Sequence, residues 1–566
     1  MSLWSVIATK IREIIGNMVG ARTVEKTLHV APVISSQMEE AIKLWSEMYK
    51  GEAPWIKEPS YSDPIRIVSL GIPALIASEK ARTALIEFQS EITTPTKEVE
   101  VKNPNYKKPE PDEYGNIVPS MEPEMIKKEK PIGSVARAEY LESQYKKLKK
   151  QLRKQIEYGV AKGGLVIKPF LVSNKIKEED DKADWQIEFD FVQADAFYPL
   201  SFDASGRITE AAFIQTHVEK DAVYRRLEYH KFENGVVTVT NKAFKSMNTN
   251  TQSDQSGVDL GQEVPLKNVP QWKDIQPEVK IKDVKQPLFA YFKMPEANTI
   301  DTSSPLGVSG YSRAKDLIKD ADMQYSRLLW EYEAGEMAID IDRDALNYSE
   351  VGPDGKPSAP VLNSFQKRLY RKVDIGVEGD TFQYYAPTLR DASFQNGLNM
   401  ILMRIEDAVA LSRGTISDAA AEARTATELK ILKQRSYQAN ADIQAAIEDV
   451  LKDTIYIMNT YCTLYKITPE GDYDVNFEWD DSIIVDVDTE LNKRVTLMRE
   501  GIMSKLELRE WYFGETERQA QEALMNADKE AMQSAENDLI MGSNATNNGQ
   551  QPPKNNQKPQ RVDRED

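Results

Sequence analysis

Residues 391–459 read DASFQNGLNMILMRIEDAVALSRGTISDAAAEARTATELKILKQRSYQANADIQAAIEDVLKDTIYIMN, two helical patterns on either side of a short break, Gly414 to Arg424. The first pattern repeats its apolar residues at helical spacing, which predicts a helix with one buried stripe. The break, GTISDAAAEAR, interrupts the two helices and needs a functional explanation. The stripe of the first helix consists of Phe394, Leu398, Ile401, Ile405 and Ala408.

The second helical pattern opens on Thr425, and Glu428 follows three residues later, which has the form of a capping box. Its apolar positions are sparse, so most of a rod of roughly 50 Å, at about 1.5 Å per residue, is polar. Such a rod is poorly suited to the core of a monomer, and we expect it to pack against copies of itself or to face a solvated cavity. The apolar positions are Leu429, Leu432, Ile443, Ile447, Val450, Ile455 and Met458.

Length and composition bound the class of protein. The chain has 566 residues, of which 40% are hydrophobic, so three or four folded modules are expected. No apolar run approaches the roughly 18 residues that a membrane crossing needs, and the amphipathic N-terminus is not expected to be a signal peptide. The single cysteine, Cys462, excludes an intramolecular disulfide and is expected to be an inert core residue.

The formal net charge of −18 argues against a protein that wraps nucleic acid, because that function needs clustered Lys and Arg to neutralise phosphates. It leaves open a surface past which DNA slides without sticking. Self-repulsion also keeps an acidic chain of this size soluble.

The N-terminal half predicts several modules. Residues 36–50 indicate a short amphipathic helix, and 65–92 also repeat apolar residues near helical spacing. Residues 93–131 are rich in Lys, Glu and Pro, a composition that predicts a surface insertion without order of its own. The basic helix over 135–158 is expected to present a solvated face, with nucleic-acid binding as its alternative. Alternating segments between about 160 and 245 predict an antiparallel sheet.

In the C-terminal half, a small β-containing insert lies between two long helices. A strong helical pattern covers 306–333, the strand-like MAIDID follows, and the helix from Asp391 closes the insert. This order predicts a compact tip carried on a pair of helices. Further on, we predict a strand over 473–486, three helices over 489–500, 505–511 and 516–536, and a disordered, low-complexity end from Gly542.

The chain shows no signature of an enzyme. The motifs GxxxxGK[ST], GxGxxG, GxSxG and HExxH are absent, and the three histidines, His29, His217 and His230, are scattered. Pairs of aspartates occur at 340 and 342, at 480 and 481, and at 486 and 488. They allow a Mg²⁺ site, but capping of turns and helices is the favoured interpretation. We therefore predict no catalytic residue, no metal and no cofactor, and a structural or assembly role.

Several segments, in this order, resemble the portal proteins of tailed bacteriophages with long non-contractile tails. They include IEYGVAKGGLVIKPFLV, DWQIEFDFVQADAFYPLSFDASGRITEAAFI, PLGVSGYSRAKDLIKDADMQYSRLLWEYEAG, LSRGTISDAAAEARTATELK, and FEWDDSIIVD followed by LMREGIMSKLELRE. The resemblance covers roughly residues 35–535. The ARTATE segment and the acidic strand FEWDD are its most specific parts, although neither is a catalytic signature.

The resemblance implies an α+β portal-like fold with a wing, a long-helix stem, a small α/β clip, a tunnel loop with a long helix, a helical crown and a disordered C-terminal tail. The implied segments are the wing 1–305 with its charged insertion 93–131, stem helices 306–337 and 389–413, clip 338–388, tunnel loop 414–424, long helix and wing strand 425–488, crown 489–540 and tail 541–566.

The function implied by the resemblance is a ring, usually of twelve subunits, at one capsid vertex. Double-stranded DNA passes through such a ring during packaging and ejection, without sequence-specific contacts. The implied partners are further copies of the chain, the terminase large subunit, the head–tail adaptor, and the major capsid and scaffold proteins, with no membrane. The implied location is the virion, and the host cytoplasm during assembly.

The resemblance also points to candidate site residues. A tunnel loop of small and polar residues could touch phosphates without base readout, and its candidate DNA contacts are Arg413, Thr415, Ser417, Arg424 and Lys430. Solvation of helix ends stays open as the alternative for Arg413, Arg424 and Lys430. The basic patch of the clip is expected to dock a protein partner rather than DNA, and it consists of Lys367, Arg368, Arg371 and Lys372.

Two other classes of function compete with the portal interpretation. One is a phage DNA-processing enzyme or minor head protein with metal-dependent nuclease activity, against which the missing nucleotide loop and the scattered acids weigh. The other is a cellular scaffold of long helices, which does not explain the β-rich module.

Overall fold

The computed structural model divides into two compact units, Met1–Trp479 and Asp480–Asp566, and each is taken by itself below. The structure describes residues 27–28, 33–57, 66–86, 88–103, 125–174, 184–219, 222–246, 260–342, 350–351, 357–358, 370–373, 382–418, 426–479, 487–514, 519–521, 523–527 and 529.

Two long helices, Val135–Lys162 and Ala426–Leu464, organise the first unit. The helices of the described residues are α1 (Ser36–Tyr49), α2 (Pro54–Lys57), α3 (Ile72–Ala84), α4 (Val135–Lys162), α5 (Lys315–Ala334), α6 (Asp391–Ala408), α7 (Ala426–Leu464), α8 (Val487–Arg499) and α9 (Lys505–Phe513).

The strands form mostly antiparallel sheets. They are β1 (Phe88–Thr93), β2 (Thr96–Lys102), β3 (Met125–Pro131), β4 (Gly164–Asn174), β5 (Asp184–Gln193), β6 (Phe197–Phe202), β7 (Ile208–Glu219), β8 (Ala222–Glu233), β9 (Val236–Ser246), β10 (Gln262–Val264), β11 (Glu278–Ile281), β12 (Ala290–Lys293), β13 (Ala338–Asp342), β14 (Glu350–Val351), β15 (Pro357–Ser358), β16 (Tyr370–Val373), β17 (Phe382–Tyr385) and β18 (Asp474–Trp479).

The largest sheet has the order β10-β9-β8-β7-β6, with β11 also paired to β9, and a second sheet has the order β12-β4-β5. Consecutive strands joined by tight turns pair antiparallel here, as the alternation of their sequences predicts. For example, β7 and β8 pair from Glu210 opposite Lys231 to Glu219 opposite Ala222. The prediction of a mixed α+β fold with an antiparallel module is therefore confirmed.

The core of the first unit lies where α4 and the C-terminal half of α7 pack on the sheets and on α3. This placement contradicts our expectation that the long second helix avoids the core. Between Ile443 and Cys462, its Ile, Leu, Val, Met and Cys residues are almost completely buried within the same chain. The apolar residues are concentrated in that half of the helix. The low apolar content of the helix as a whole therefore does not predict that its C-terminal half is buried. The predicted capping box at Thr425 lies outside the described residues.

The predicted helix over 65–92 is wrong at its C-terminal end. The helix α3 ends at Ala84, and Phe88 begins a strand that pairs with Trp479 of β18. The two aromatic rings stack with their centroids 4.4 Å apart, a tertiary contact that overrides the helical spacing of the sequence.

The charged insertion over 93–131 contains a hairpin that we did not predict. The strands β2 and β3 pair antiparallel, with Glu100 opposite Lys127 and Val101 opposite Ile126. The register also places Lys97 opposite Lys130 and Glu98 opposite Glu129, so the pattern of charges alone does not account for this pairing. The residues between the two strands, 104–124, lie outside the described part of the chain.

The strong helix predicted from Leu306 begins only at Lys315, after a 3-10 turn over Ser312–Ala314. Residues before it form a buried connection, in which the Gly310 amide donates to the Val160 carbonyl at 2.9 Å. A Cβ at Gly307 would lie 2.1 Å from the Gly163 carbonyl oxygen, so this close approach of two backbones requires glycine.

In the second unit, α8 and α9 contact each other. The Arg494 guanidinium lies over the Trp511 ring, 4.3 Å from its centroid, and Ser504 with Glu507 forms a capping box at the start of α9. These helices confirm the predictions over 489–500 and 505–511, while the tail beyond residue 529 lies outside the described residues.

Candidate functional site

The helices α5 and α6 pack against each other and carry the insert 338–388 between them. The described part of this insert contains the three-stranded sheet β16-β13-β17 and the short pair β14–β15. Strand β13 is parallel to β16 and antiparallel to β17. The structure thus shows the predicted β-containing tip on a pair of helices.

At the insert end of the pair, Glu331 of α5 binds Arg390, the residue just before α6. Its carboxylate accepts hydrogen bonds from Arg390 Nε at 3.0 Å, from Nη2 at 2.6 Å and from the Arg390 amide at 3.2 Å. This bidentate pair is the strong geometry for a carboxylate and a guanidinium. The hydrogen bonds from Arg390 lower the pKa of Glu331, so the carboxylate is ionised and fixes the spacing of the two helix ends.

In the middle of α5, a buried aspartate attaches the helix to the segment 66–71. Asp322 accepts hydrogen bonds from the Leu70 amide at 2.8 Å and from Trp55 Nε1 at 3.0 Å. Its neighbour Ser326 accepts from the Val68 amide at 2.8 Å. Burial raises the pKa of Asp322, whereas these donors act in the opposite direction. The helix pair is therefore anchored to the body of the unit by polar contacts as well as by packing.

The end of α6 leads into the break of the opening motif. Ala410 has φ 57°, a left-handed conformation typical of the residue after a helix, and Gly414 has φ 87°. Between them, Arg413 pairs with Asp407 through Nη2 at 2.9 Å. The chain then turns back toward α6.

A single carboxylate binds the start of the loop through hydrogen bonds. Glu406, which is completely buried, accepts hydrogen bonds from four groups of the segment Gly414–Ser417. The donors are the amides of Gly414 at 3.3 Å, Ile416 at 2.7 Å and Ser417 at 2.9 Å, and the Ser417 hydroxyl at 2.7 Å. The next amide, that of Asp418, donates to Asn399 Oδ1 at 2.8 Å.

The predicted tunnel-loop residues differ in their solvent exposure and in their hydrogen bonds. Arg413 and Thr415 are exposed, and the Thr415 hydroxyl donates to the Ser412 carbonyl at 2.6 Å. Ser417 is buried, and its hydroxyl is used by Glu406. Arg424 lies outside the described residues; Lys430 lies in α7, but its side chain is not described.

The predicted basic patch of the insert is only partly visible. Lys367 and Arg368 lie outside the described residues, whereas Arg371 and Lys372 lie in the central positions of β16. In the register with β13, Arg371 is opposite Asp340 and Lys372 is opposite Ile341. The backbone therefore places these two basic residues in a sheet rather than in a loop.

Four residues that organise this site were not predicted from the sequence: Glu331, Arg390, Asn399 and Glu406. The available signal was the position of Glu406 directly after Ile405, within the apolar stripe of α6. Asn399 lies seven residues earlier and so shares a helix face with it. The apolar positions alone do not reveal this site. A polar residue on the buried face of a helix is an acceptor that needs a donor, so its position predicts a partner.

Among the described residues, no cluster of three or more His, Cys, Asp or Glu side chains could hold a metal ion. Asp480, Asp481 and Asp486 lie outside the described part, as does His29.

His230 is buried beside Glu228, whose carboxylate it contacts at 2.7 Å through Nε2. Lys168 Nζ lies 3.0 Å and Arg226 Nη2 lies 2.7 Å from the same carboxylate. This group lies where the two large sheets meet and is part of the interior rather than of an open cleft.

Comparison with known proteins identifies the family. The chain matches the family model described as "Phage portal protein, SPP1 Gp6-like" over residues 134–535, which is more than half of its length. A search of curated proteins finds no match. The matched range includes α5, the insert, α6, the loop and α7, which are the elements that build the site described above. This protein therefore belongs to the phage portal protein family.

Proposed function

We propose that this protein forms a closed ring at one capsid vertex, through which double-stranded DNA enters and leaves the capsid. Members of a portal family are structural proteins, not enzymes, and sit in the virion at the capsid vertex as the connector between head and tail. The nuclease alternative is therefore not retained. Among the described residues, no helix has the length and hydrophobicity that a membrane crossing requires.

The observation that carries the ring is the incomplete burial of α6. Only Ile405 and Glu406 are buried among its 18 residues. Large apolar side chains on the helix pair and beside it are exposed in the single chain, including Met400 at 61%, Met337 at 50% and Trp330 at 49%. Several exposed large apolar side chains on and beside one helix pair are typical of an interface. A neighbouring copy of the same chain is the partner that a ring supplies.

We assign the segments of this ring as follows. The helices α5 and α6 form the stem, the insert 338–388 forms the clip, and Gly414–Arg424 forms the tunnel loop that faces DNA. The wing comprises 1–305 together with 425–488, and the crown comprises 489–540. We propose twelve subunits, assembly in the host cytoplasm, and a role in ejection as well as packaging.

The tunnel loop suits contact with a moving duplex. Its small and polar residues provide weak, sequence-independent contacts to phosphates, and a strongly basic lining would hold the DNA in place. We propose Arg413, Thr415, Arg424 and Lys430 as contacts. We also propose Ser417 as a contact. Its hydroxyl donates a hydrogen bond to Glu406, and this bond must break before the hydroxyl can donate to a phosphate.

The clip is the proposed docking surface for the terminase large subunit and the head–tail adaptor. Its basic residues, Lys367, Arg368, Arg371 and Lys372, offer positive charge on an acidic chain, which favours an acidic protein surface. The capsid and scaffold proteins are the proposed partners of the wing.

Packaging by assembled particles tests this function. Deletion of 419–423 should leave ring formation intact and block DNA packaging, because it removes the projecting part of the loop and keeps the segment held by Glu406. A matched deletion in the C-terminal tail, 556–560, should affect neither. Normal packaging by rings that lack 419–423 would refute the role of the tunnel loop.

A further inference from the structure

A buried acid that no recognised function uses lies at the base of the tunnel loop. We infer that Glu406, together with Asn399, is a seat on the stem that positions the tunnel loop. We call these two side chains the loop seat. The inference rests on the proposed assignment of Gly414–Arg424 as the tunnel loop and adds a positioning residue to it.

The geometry of Glu406 shows why it can fix a loop. Its two oxygens accept hydrogen bonds from three backbone amides and one hydroxyl, which belong to Gly414, Ile416 and Ser417. Successive amides that converge on one anion form a nest, in which the fixed dipoles replace the water that the carboxylate loses on burial. The segment is therefore held by a buried carboxylate, in addition to the packing of Ile416 against the core.

Asn399 extends the seat along α6. It lies seven residues before Glu406, about two helical turns, so both side chains lie on one face of the helix. The amide of Asp418 donates to Asn399, whereas the amides of 414, 416 and 417 donate to Glu406. The chain from Gly414 to Asp418 thus runs back along α6 for about two turns.

This arrangement fixes the base of the loop. Residues 414–418 are bound to the stem helix α6 through Glu406 and Asn399. A shift or rotation of α6 carries the base of the loop with it. The loop cannot move independently of the stem without breaking the bonds at Glu406.

Hydrogen exchange of the assembled full-length ring tests the seat. In the wild type, the amides of Ile416 and Ser417 should be protected. Glu406→Gln should raise their exchange about tenfold or more, since hydrogen bonds to a charged acceptor are the stronger kind. Exchange of 391–405 and the number of subunits in the ring should stay unchanged.

The matched control is Glu79→Gln, which removes a carboxylate that pairs with Arg82 on α3. It should leave exchange of 414–418 at the wild-type rate. Ser417→Ala provides a milder second variant that keeps the buried carboxylate and removes one donor. It should raise exchange of the same amides about threefold, as expected for one ordinary hydrogen bond.

The functional readout is DNA packaging by particles that carry these rings. Glu406→Gln should lower the packaging rate with rings intact, and Glu79→Gln should not. Exchange of 416 and 417 that is the same in Glu406→Gln and wild type, or a loosened loop with an unchanged packaging rate, would overturn the seat. Failure of the wild-type chain to form rings would instead refute the portal function. Exchange at 416 and 417, measured on the unassembled full-length chain, would then still decide whether Glu406 holds the loop.

Discussion

Glu331 and Arg390 join α5 and α6 at the insert 338–388, through a bidentate ion pair and a third hydrogen bond from the Arg390 amide. Close beside it, the Leu389 side chain contacts Gly335 so closely that a Cβ there would lie 2.2 Å from Leu389 Cδ2. Gly335 follows α5 and Arg390 precedes α6, so these contacts lie where the chain enters and leaves the insert 338–388.

Replacement of Arg390 by Ala should loosen the clip. It removes both guanidinium bonds to Glu331, whose side chain is only 9% exposed, so the carboxylate loses its main partner. We expect faster proteolysis and faster hydrogen exchange across β13 and β17, with the rest of the chain unchanged. Arg327→Ala, on an exposed position of the same helix pair, is the control and should leave both measurements unaltered.

A second prediction concerns Arg137, which is 1% exposed and lies at the start of α4. Its five hydrogen bonds go to neutral oxygens of Asn459, Thr463, Thr468 and Pro469, at and beyond the C-terminal end of α7. The negative end of that helix favours a buried cation.

Arg137→Leu leaves several of these acceptors unpaired, so it should lower the free energy of unfolding by at least about 2 kcal/mol. Chemical denaturation of the ring-free chain measures this change. Arg153→Leu, on an exposed position of the same helix, should lower the value by less than about 0.5 kcal/mol. Equal effects of the two substitutions would contradict the assigned role of Arg137.

A third prediction concerns pH. Burial alone would raise the pKa of Glu228, but Lys168, His230 and Arg226 hold it well below its ordinary value of 4.5. An acid with a lowered folded-state pKa stabilises the protein above its unfolded pKa and loses that contribution as the pH falls through the folded-state value.

Stability should therefore be constant with respect to this group above about pH 5 and should decrease as the pH falls below 4.5. In Glu228→Gln, stability should be lower at neutral pH, because Lys168 and Arg226 lose their shared anion, and its decrease below pH 4.5 should be shallower. Melting temperatures from pH 3 to 7 compare the two proteins. Parallel curves would show that Glu228 does not titrate in this way.

A fourth prediction addresses the ring interface. Trp330→Asp and Met400→Asp each place a charge on exposed apolar surface of the stem, so each should reduce the ring fraction more than tenfold at micromolar concentration while the chain stays folded. Mass photometry and circular dichroism measure the two properties. Val218→Asp, on an exposed apolar residue of β7, should leave the rings intact. Rings that persist in both stem variants would exclude this face as the subunit interface.

The sequence predicted those parts of the fold in which local pattern and tertiary context agree. The alternation of β5, β7, β8 and β9 identified the antiparallel module, and the basic helix that ends at Gly163 was found within a few residues. The compact tip between two helices followed from element order alone.

The features that the sequence did not predict share a physical cause, because in each a tertiary contact determines the local structure. The strand at Phe88 depends on Trp479, almost 400 residues away, and the late start of α5 depends on a backbone contact between Gly307 and Gly163. The loop seat was missed for the same reason, since only the fold shows that Glu406 is buried and which amides reach it. The predicted DNA contacts Arg424 and Lys430 stay predictions.

Electron cryomicroscopy of the purified full-length chain is the most direct measurement of the central claim. The portal assignment predicts closed rings with an axial channel, in which α5 and α6 contact neighbouring subunits and Gly414–Arg424 faces the channel axis. Monomers or dimers alone, at every salt and protein concentration, would contradict it. So would rings in which this loop lies on the outer surface.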